Sequence, residues 1–166
     1  MDRTVSNQTP ELSHADSALH ERILAGHLAI LAQVDYFREN FGSAESRWKK
    51  DGTRVTIVDE TISRELFILL EKDFPSDDYC SEEEAETPEP IPTEAEFCWI
   101  LDPVDGTNNY AVGVPECCIS LGLLRHGIPV YGCIYDYGRD NLLQGGKEFG
   151  SIEGTTPVFA ATELVN

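Results

Sequence analysis

The apolar pattern of this 166-residue chain changes period once, near its middle, and that change constrains the fold more than any other feature. Over residues 13–41, Leu19, Ile23, Ile30, Val34, Phe37 and Phe41 recur at steps of four, seven, four, three and four. This is the spacing of one helix face, and Gly42 supplies the stop. Residues 43–54 are polar and read as a loop. A second helix starts near Thr56, with Asp59 three residues on as the acid of a capping box. Ile62, Leu66, Leu69, Leu70 and Phe74 continue it, and Pro75 closes it. Beyond that point the period shortens. Phe97-Cys98-Trp99-Ile100-Leu101 is a continuous apolar run, too short for a helix, and predicts a buried strand. Residues 117–124 and 129–137 read as strands joined through Arg125-His126-Gly127-Ile128, where the glycine supports a hairpin. Residues 78–80 and 141–144 read as shorter strands. The expectation is an α+β fold, two long helices packed on an antiparallel β-sheet.

Thirty acidic against twelve basic side chains leave a formal charge of −18. Residues 71–96 alone hold eleven carboxylates and one lysine. Within them Pro88, Pro90 and Pro92 exclude helix or central strand, so this stretch reads as an exposed, extended connection. Such a charge excludes a nucleic-acid partner, whose binding is driven by Lys and Arg releasing counterions. No apolar run approaches ~18 residues, so no membrane span is expected. Residues 1–24 lack the apolar core of a secretory signal. The cysteines, Cys80, Cys98, Cys117, Cys118 and Cys133, are odd in number and irregularly spaced, which suits neither a disulfide framework nor a zinc ribbon. They read as thiols in a reducing cytoplasm, so the expected location is cytoplasmic.

Three acidic positions carry candidate chemistry. Asp102 and Asp105 flank Pro103-Val104 at the end of the apolar run, and two carboxylates so spaced in a turn can converge on a hard cation. Ser81-Glu82-Glu83-Glu84 ends the strand at residues 78–80, and Asp59 opens the second helix. Each also has an ordinary structural explanation. Asp-Pro followed by Asp-Gly is common turn chemistry, an acidic run is usually a solvated loop, and Asp59 could simply cap its helix. No histidine lies near these positions; His126 falls at a hairpin turn, and Ser120 lies within a strand with no base beside it.

In order, the segments do resemble something specific. Lys50-Asp51-Gly52-Thr53-Arg54-Val55-Thr56 leads to Asp59, followed by Phe74-Pro75 and Ser81-Glu82-Glu83. Trp99-Ile100-Leu101-Asp102-Pro103-Val104-Asp105-Gly106-Thr107-Asn108-Asn109-Tyr110 completes the series, with Gly113 and Pro115 after it. This resembles the inositol monophosphatase family of magnesium-dependent, lithium-sensitive phosphatases, over roughly residues 15 to 150.

The resemblance implies roles for individual residues. Glu82, Asp102 and the Val104 carbonyl would hold one Mg²⁺, Asp102 and Asp105 would share a second, and Asp59 with Glu82 a weaker third. Two or three Mg²⁺ are therefore implied, with Mn²⁺ as a possible substitute. Thr107 would position the attacking water, and Asp105, Gly106 and Thr107 would contact the substrate, with amides around Gly106 and Thr107 on the phosphate. Thr107, Glu82 and Asp102 would be the catalytic set. Lys49-Lys50-Asp51-Gly52 matches a mobile loop that closes over the site, with Lys50 and Asp51 as its candidate residues. Glu83 matches an acid supporting the ligands from behind, and direct ligation could fall to either Glu82 or Glu83.

The implied reaction is hydrolysis of a small phosphorylated metabolite, inositol phosphate first. Histidinol phosphate, a sugar bisphosphate or a 3′-phosphoadenosine nucleotide are the alternative substrates, and a non-catalytic metal- or partner-binding fragment is the rival function. A homodimer is possible by the same resemblance. The implied architecture is the N-terminal half of an α/β/α/β/α layered sugar-phosphatase fold. Residues 1–12 would be a disordered N-terminus, 13–154 the metal-binding domain, and 155–166 a tail truncated at the domain boundary, so activity of this chain alone is in question.

Overall fold

A computed structural model describes residues 17–83, 94–147 and 150–158. In chain order the elements are α1 (Ser17–Glu39), β1 (Ser46–Trp48), β2 (Arg54–Thr56), α2 (Ile57–Asp73), β3 (Asp78–Ser81), β4 (Phe97–Asp105), α3 (Thr107–Val112), β5 (Cys118–Arg125), β6 (Ile128–Asp136), β7 (Asn141–Gly146), β8 (Gly150–Glu153) and β9 (Thr156–Val158). The expected N-terminal tail, most of the proline-rich connection and the last eight residues lie outside the described residues.

Strands β3 to β9 form one sheet in sequence order, and β1 and β2 form a separate hairpin. All neighbours in the large sheet run antiparallel except β3, which lies parallel to β4 at the edge. Parallel neighbours cannot be joined by a tight turn. The chain between β3 and β4, residues 82–96, is what makes that pairing possible.

The two long helices cover one face of the sheet. Leu19, Ala29, Ile30 and Phe37 of α1 and Val58, Ile62, Leu66 and Leu70 of α2 meet Trp99 and Leu101 of β4 and Ile119, Leu121 and Leu123 of β5 in one core. The alternation along β5 follows from the strand period, which sends Ile119, Leu121 and Leu123 to the helices and Ser120 and Gly122 to the opposite face. The N-terminus of α2 is a full capping box: Val58 N donates to Thr56 Oγ1 at 3.1 Å, and Thr56 N donates to Asp59 Oδ2 at 2.8 Å. The β5–β6 turn has positive φ at both His126 (51°) and Gly127 (76°), the left-handed pair that matches the strand twist.

The stretch read as a polar loop, residues 43–54, instead holds β1 and the start of β2, with Trp48 opposite Arg54. Three-residue strands, one of them exposed throughout, carry no apolar alternation to announce them. Strand β4 also runs four residues past the apolar segment, and α3, β8 and β9 add elements that the apolar pattern does not show. Among the described residues no helix is long and apolar enough to cross a membrane, and no disulfide joins the cysteines.

The seam between α1 and β4 depends on Gly26. A Cβ there would lie 2.8 Å from Cζ3 of the fully buried Trp99 and 3.3 Å from a Leu121 methyl. Gly26→Val is expected to cost about 1–3 kcal/mol by overpacking, although valine is the better helix former. Urea unfolding measures this, and an unchanged midpoint would rule out a tight seam.

Candidate functional site

Strand register assembles the acidic positions. In the parallel β3–β4 pair, Ser81 lies opposite Leu101, and Glu82 N donates to Leu101 O at 3.1 Å. The two strands therefore deliver Glu82 and Asp102 side by side at their carboxyl ends. Burial is the first cause pushing the Asp102 carboxyl up to about 8, with the contact to Glu82 and the charge of Asp105 adding to it.

Asp102 and Asp105 are three residues apart, and an odd spacing in a regular strand sends side chains to opposite faces. Here Asp102 pairs with Ser120 and Asp105 with Cys118, so three steps along β4 match two along β5. The extra residue is a β-bulge, and it returns Asp105 to the face of Asp102. Pro103, which has no N–H to give a ladder, falls inside that irregularity. The Asp-Pro-Val-Asp segment is thus a bulged strand end rather than the expected turn; the turn comes at Gly106, with φ 85°. A Cβ on Gly106 would meet the Glu116 carbonyl oxygen at 2.7 Å, so close approach by its own chain demands glycine here.

The remaining groups arrive from the helices and the small hairpin. Asp59 is buried (1% exposed). Its Oδ2 completes the α2 cap, and its Oδ1 accepts from Thr107 Oγ1 at 3.2 Å. The same hydroxyl lies 2.8 Å from the Val104 carbonyl oxygen, so one proton serves two acceptors. Burial raises the Asp59 carboxyl, and the hydrogen bonds from Thr56 and Thr107 oppose the rise. Asp59 thus caps α2 with one oxygen and meets the Thr107 hydroxyl with the other.

Glu83 accepts an ion pair from Lys49 Nζ at 2.7 Å, and its carboxyl is raised by burial and lowered by that ammonium. Lys49, not Lys50, is the hairpin residue bonded to the acidic group. Lys50 is exposed, and Asp51 accepts from Thr53 N and Thr53 Oγ1 at 2.9 and 2.7 Å within the hairpin turn. Cys118 also reaches this face, its Sγ 3.7 Å from Asp105 Oδ2, and burial with Asp105 pushes the thiol up to about 12. Lys49 falls in the loop that the resemblance names, whereas Cys118 does not stand out as a site residue in the sequence. One needs the hairpin and the other the β4–β5 register.

Carboxylate and carbonyl oxygens are the donors that Mg²⁺ and Ca²⁺ take. Glu82, Asp102 and Asp105 offer only oxygen donors, a set that suits such an ion. Among the described residues, no three His, Cys, Asp or Glu side chains are arranged as a closed metal-binding group.

The model of the inositol monophosphatase family matches residues 16–160. Inositol monophosphatase 1 of Solanum lycopersicum is 33% identical over 109 residues, which is 66% of this chain and 40% of that protein. An inositol monophosphatase from Anabaena superposes with a TM-score of 0.71 at 26% identity, covering 89% of this chain and 52% of that one. An IMPase/NADP phosphatase complexed with Mg²⁺ and phosphate superposes with a TM-score of 0.73 at 25% identity, covering 87% and 55%. This chain spans about half the length of these relatives, or less.

Proposed function

Because the chain belongs to the inositol monophosphatase family, we propose that the Glu82–Asp102–Asp105 corner is the metal-bearing part of a site that hydrolyses phosphate monoesters. The observation that carries this reading is the pairing of Glu82 with Asp102 at the carboxyl ends of β3 and β4, with Asp105 returned beside them by the bulge. Glu82, Asp102 and the Val104 carbonyl would hold one Mg²⁺, Asp102 and Asp105 a second, and Asp59 with Glu82 a third; Mn²⁺ could substitute. Bound ions would neutralise the phosphate and acidify a water, so that hydroxide forms near neutral pH.

The chain's own groups prepare that step. Asp102 must release its proton to ligate, so cation binding and protonation compete at this oxygen. The Thr107 hydroxyl proton is directed to Val104 O or Asp59, which leaves an Oγ1 lone pair to orient an attacking water. Amides at Gly106 and Thr107, with Asp105, would meet the substrate.

The names of the relatives support inositol phosphate as the first substrate to try and a nucleotide phosphate as the second; histidinol phosphate and sugar bisphosphates remain in the same chemical class. Lithium sensitivity, a cytoplasmic location and a homodimer belong to the same proposal. Mg²⁺-dependent phosphate release from inositol monophosphate is the test, run on this chain and on any longer product of its gene. Release is expected to fall at least about 100-fold in Asp102→Asn. Equal release from wild type and variant, or no Mg²⁺ dependence in either, would remove the proposal.

A further inference from the structure

Cys118 stands on β5 between two carboxylates. The antiparallel register sets it opposite Asp105 of β4 on one side and opposite Asp136 of β6 on the other. Directly opposed residues project from the same face of a sheet, so the three side chains form one row on the face away from the helices. Asp136 is held by its own turn: its Oδ1 accepts from Arg139 N at 3.1 Å, and its Oδ2 lies 3.7 Å from Arg139 Nε. Asp105 has no such support. Among the described residues, the Cys118 thiol is the one donor to its carboxylate, Sγ to Oδ2 at 3.7 Å. Burial and the neighbouring carboxylates keep that thiol protonated at neutral pH, so it donates rather than accepts.

Resting on the metal-centre reading above, we propose that Cys118 is a positioning residue for Asp105: its S–H engages Oδ2 and holds the carboxylate in one orientation, leaving Oδ1 for the ion that Asp105 shares with Asp102. The physical cause is conformational entropy. Asp105 is exposed at the end of β4, where nothing else restrains the rotation of its carboxylate. Restraining that rotation before an ion arrives removes an ordering cost that binding would otherwise bear. Donors behind a ligating carboxylate commonly act in this way on metal affinity.

The test titrates Mg²⁺ alone, by calorimetry, into the full chain as wild type, Cys118→Val, Cys118→Ser, Asp105→Asn and the double variant Asp105→Asn/Cys118→Val. Valine is close to cysteine in size and suits a strand, but it has no donor. Cys118→Val is expected to bind Mg²⁺ about fivefold more weakly, a modest loss because a thiol is a weak donor. Cys118→Ser restores a donor and should stay within about twofold of the wild type. In the Asp105→Asn background the valine substitution should cost nothing further, since the two groups act as one unit.

A merely space-filling thiol gives a different pattern, in which Cys118→Val binds Mg²⁺ as the wild type does; that result overturns the positioning role and leaves the phosphatase reading intact. Equal losses from Cys118→Val with and without the Asp105 carboxylate, or a serine variant as weak as the valine one, overturn it as well. No Mg²⁺ binding by the wild type overturns both readings.

Discussion

Asp77→Ala is expected to lower the free energy of unfolding by about 3–5 kcal/mol, a large part of the stability of an ordinary domain. Asp77 lies just beyond α2, and its carboxylate, 3% exposed, joins three parts of the fold. Arg22 of α1 donates to it twice, Nε to Oδ2 at 2.8 Å and Nη2 to Oδ1 at 2.7 Å. The indole Nε1 of Trp99 on β4 donates to the same Oδ2 at 3.0 Å. The Arg22 guanidinium is itself packed against the rings of Phe97 at 3.9 Å and Phe74 at 4.5 Å, where water cannot replace a lost partner. Removing the carboxylate leaves a buried cation and a buried indole N–H unanswered. Asp77→Asn keeps an acceptor for Trp99 and should cost roughly half as much. Equilibrium urea unfolding measures both, and a loss below about 1 kcal/mol for Asp77→Ala would show that the pair adds nothing to the fold.

The second large effect is linked to pH and metal. The folded value of Asp102, about 8, lies above its ordinary value of 3.8. Between these two, the folded state holds a proton that the unfolded state has released, so stability falls as pH rises. The contribution is fully present below about pH 4 and gone above about pH 8. Because the group is partly open to solvent, about 1–2 kcal/mol is the expected size after screening. The metal-free protein should then melt about 3–6 °C higher near pH 5 than near pH 8.5.

Asp102→Asn and Asp105→Asn should each flatten this slope and stabilise the metal-free protein at the higher pH. Saturating Mg²⁺ should reverse the trend, raising stability most where Asp102 is ionised, by about 2.7 kcal/mol at one hundred times its dissociation constant. Scanning calorimetry across pH, with and without Mg²⁺, measures all of this. If Mg²⁺ leaves the melting temperature unchanged and Asp105→Asn fails to stabilise the metal-free protein, the carboxylates do not converge.

Much of the fold was legible because its signals are local. The α2 capping box needs only Thr56, Val58 and Asp59, and the structure forms both of its hydrogen bonds. The His126-Gly127 turn needs two residues that tolerate positive φ. The apolar steps along α1 and α2 follow from helix geometry: of the residues they named, Leu19, Ile30, Phe37, Ile62, Leu66 and Leu70 are buried, Ile23, Val34, Phe41 and Phe74 partly so, and Leu69 is exposed because it falls off the covered face of α2. The β1–β2 hairpin was not legible, since its exposed residues leave no apolar trace.

The candidate site divides in the same way. Its residue types and their order belong to the sequence alone: Asp59, Glu82, Asp102, Asp105 and Thr107 are set by one chain's spelling, as is the resemblance they carry. Their convergence was decided by pairing between distant segments. Asp105 shares a face with Asp102 only because β5 meets β4 with one residue fewer. Glu82 reaches Asp102 only because β3 runs parallel to β4 across an intervening connection. Lys49 reaches Glu83, and Arg22 reaches Asp77, across 34 and 55 residues. Helix caps, turns and apolar periods arise from neighbours along the chain, so the sequence suffices for them. Which carboxylate faces which cation depends on how whole strands and helices pack, and that is a property of the folded molecule.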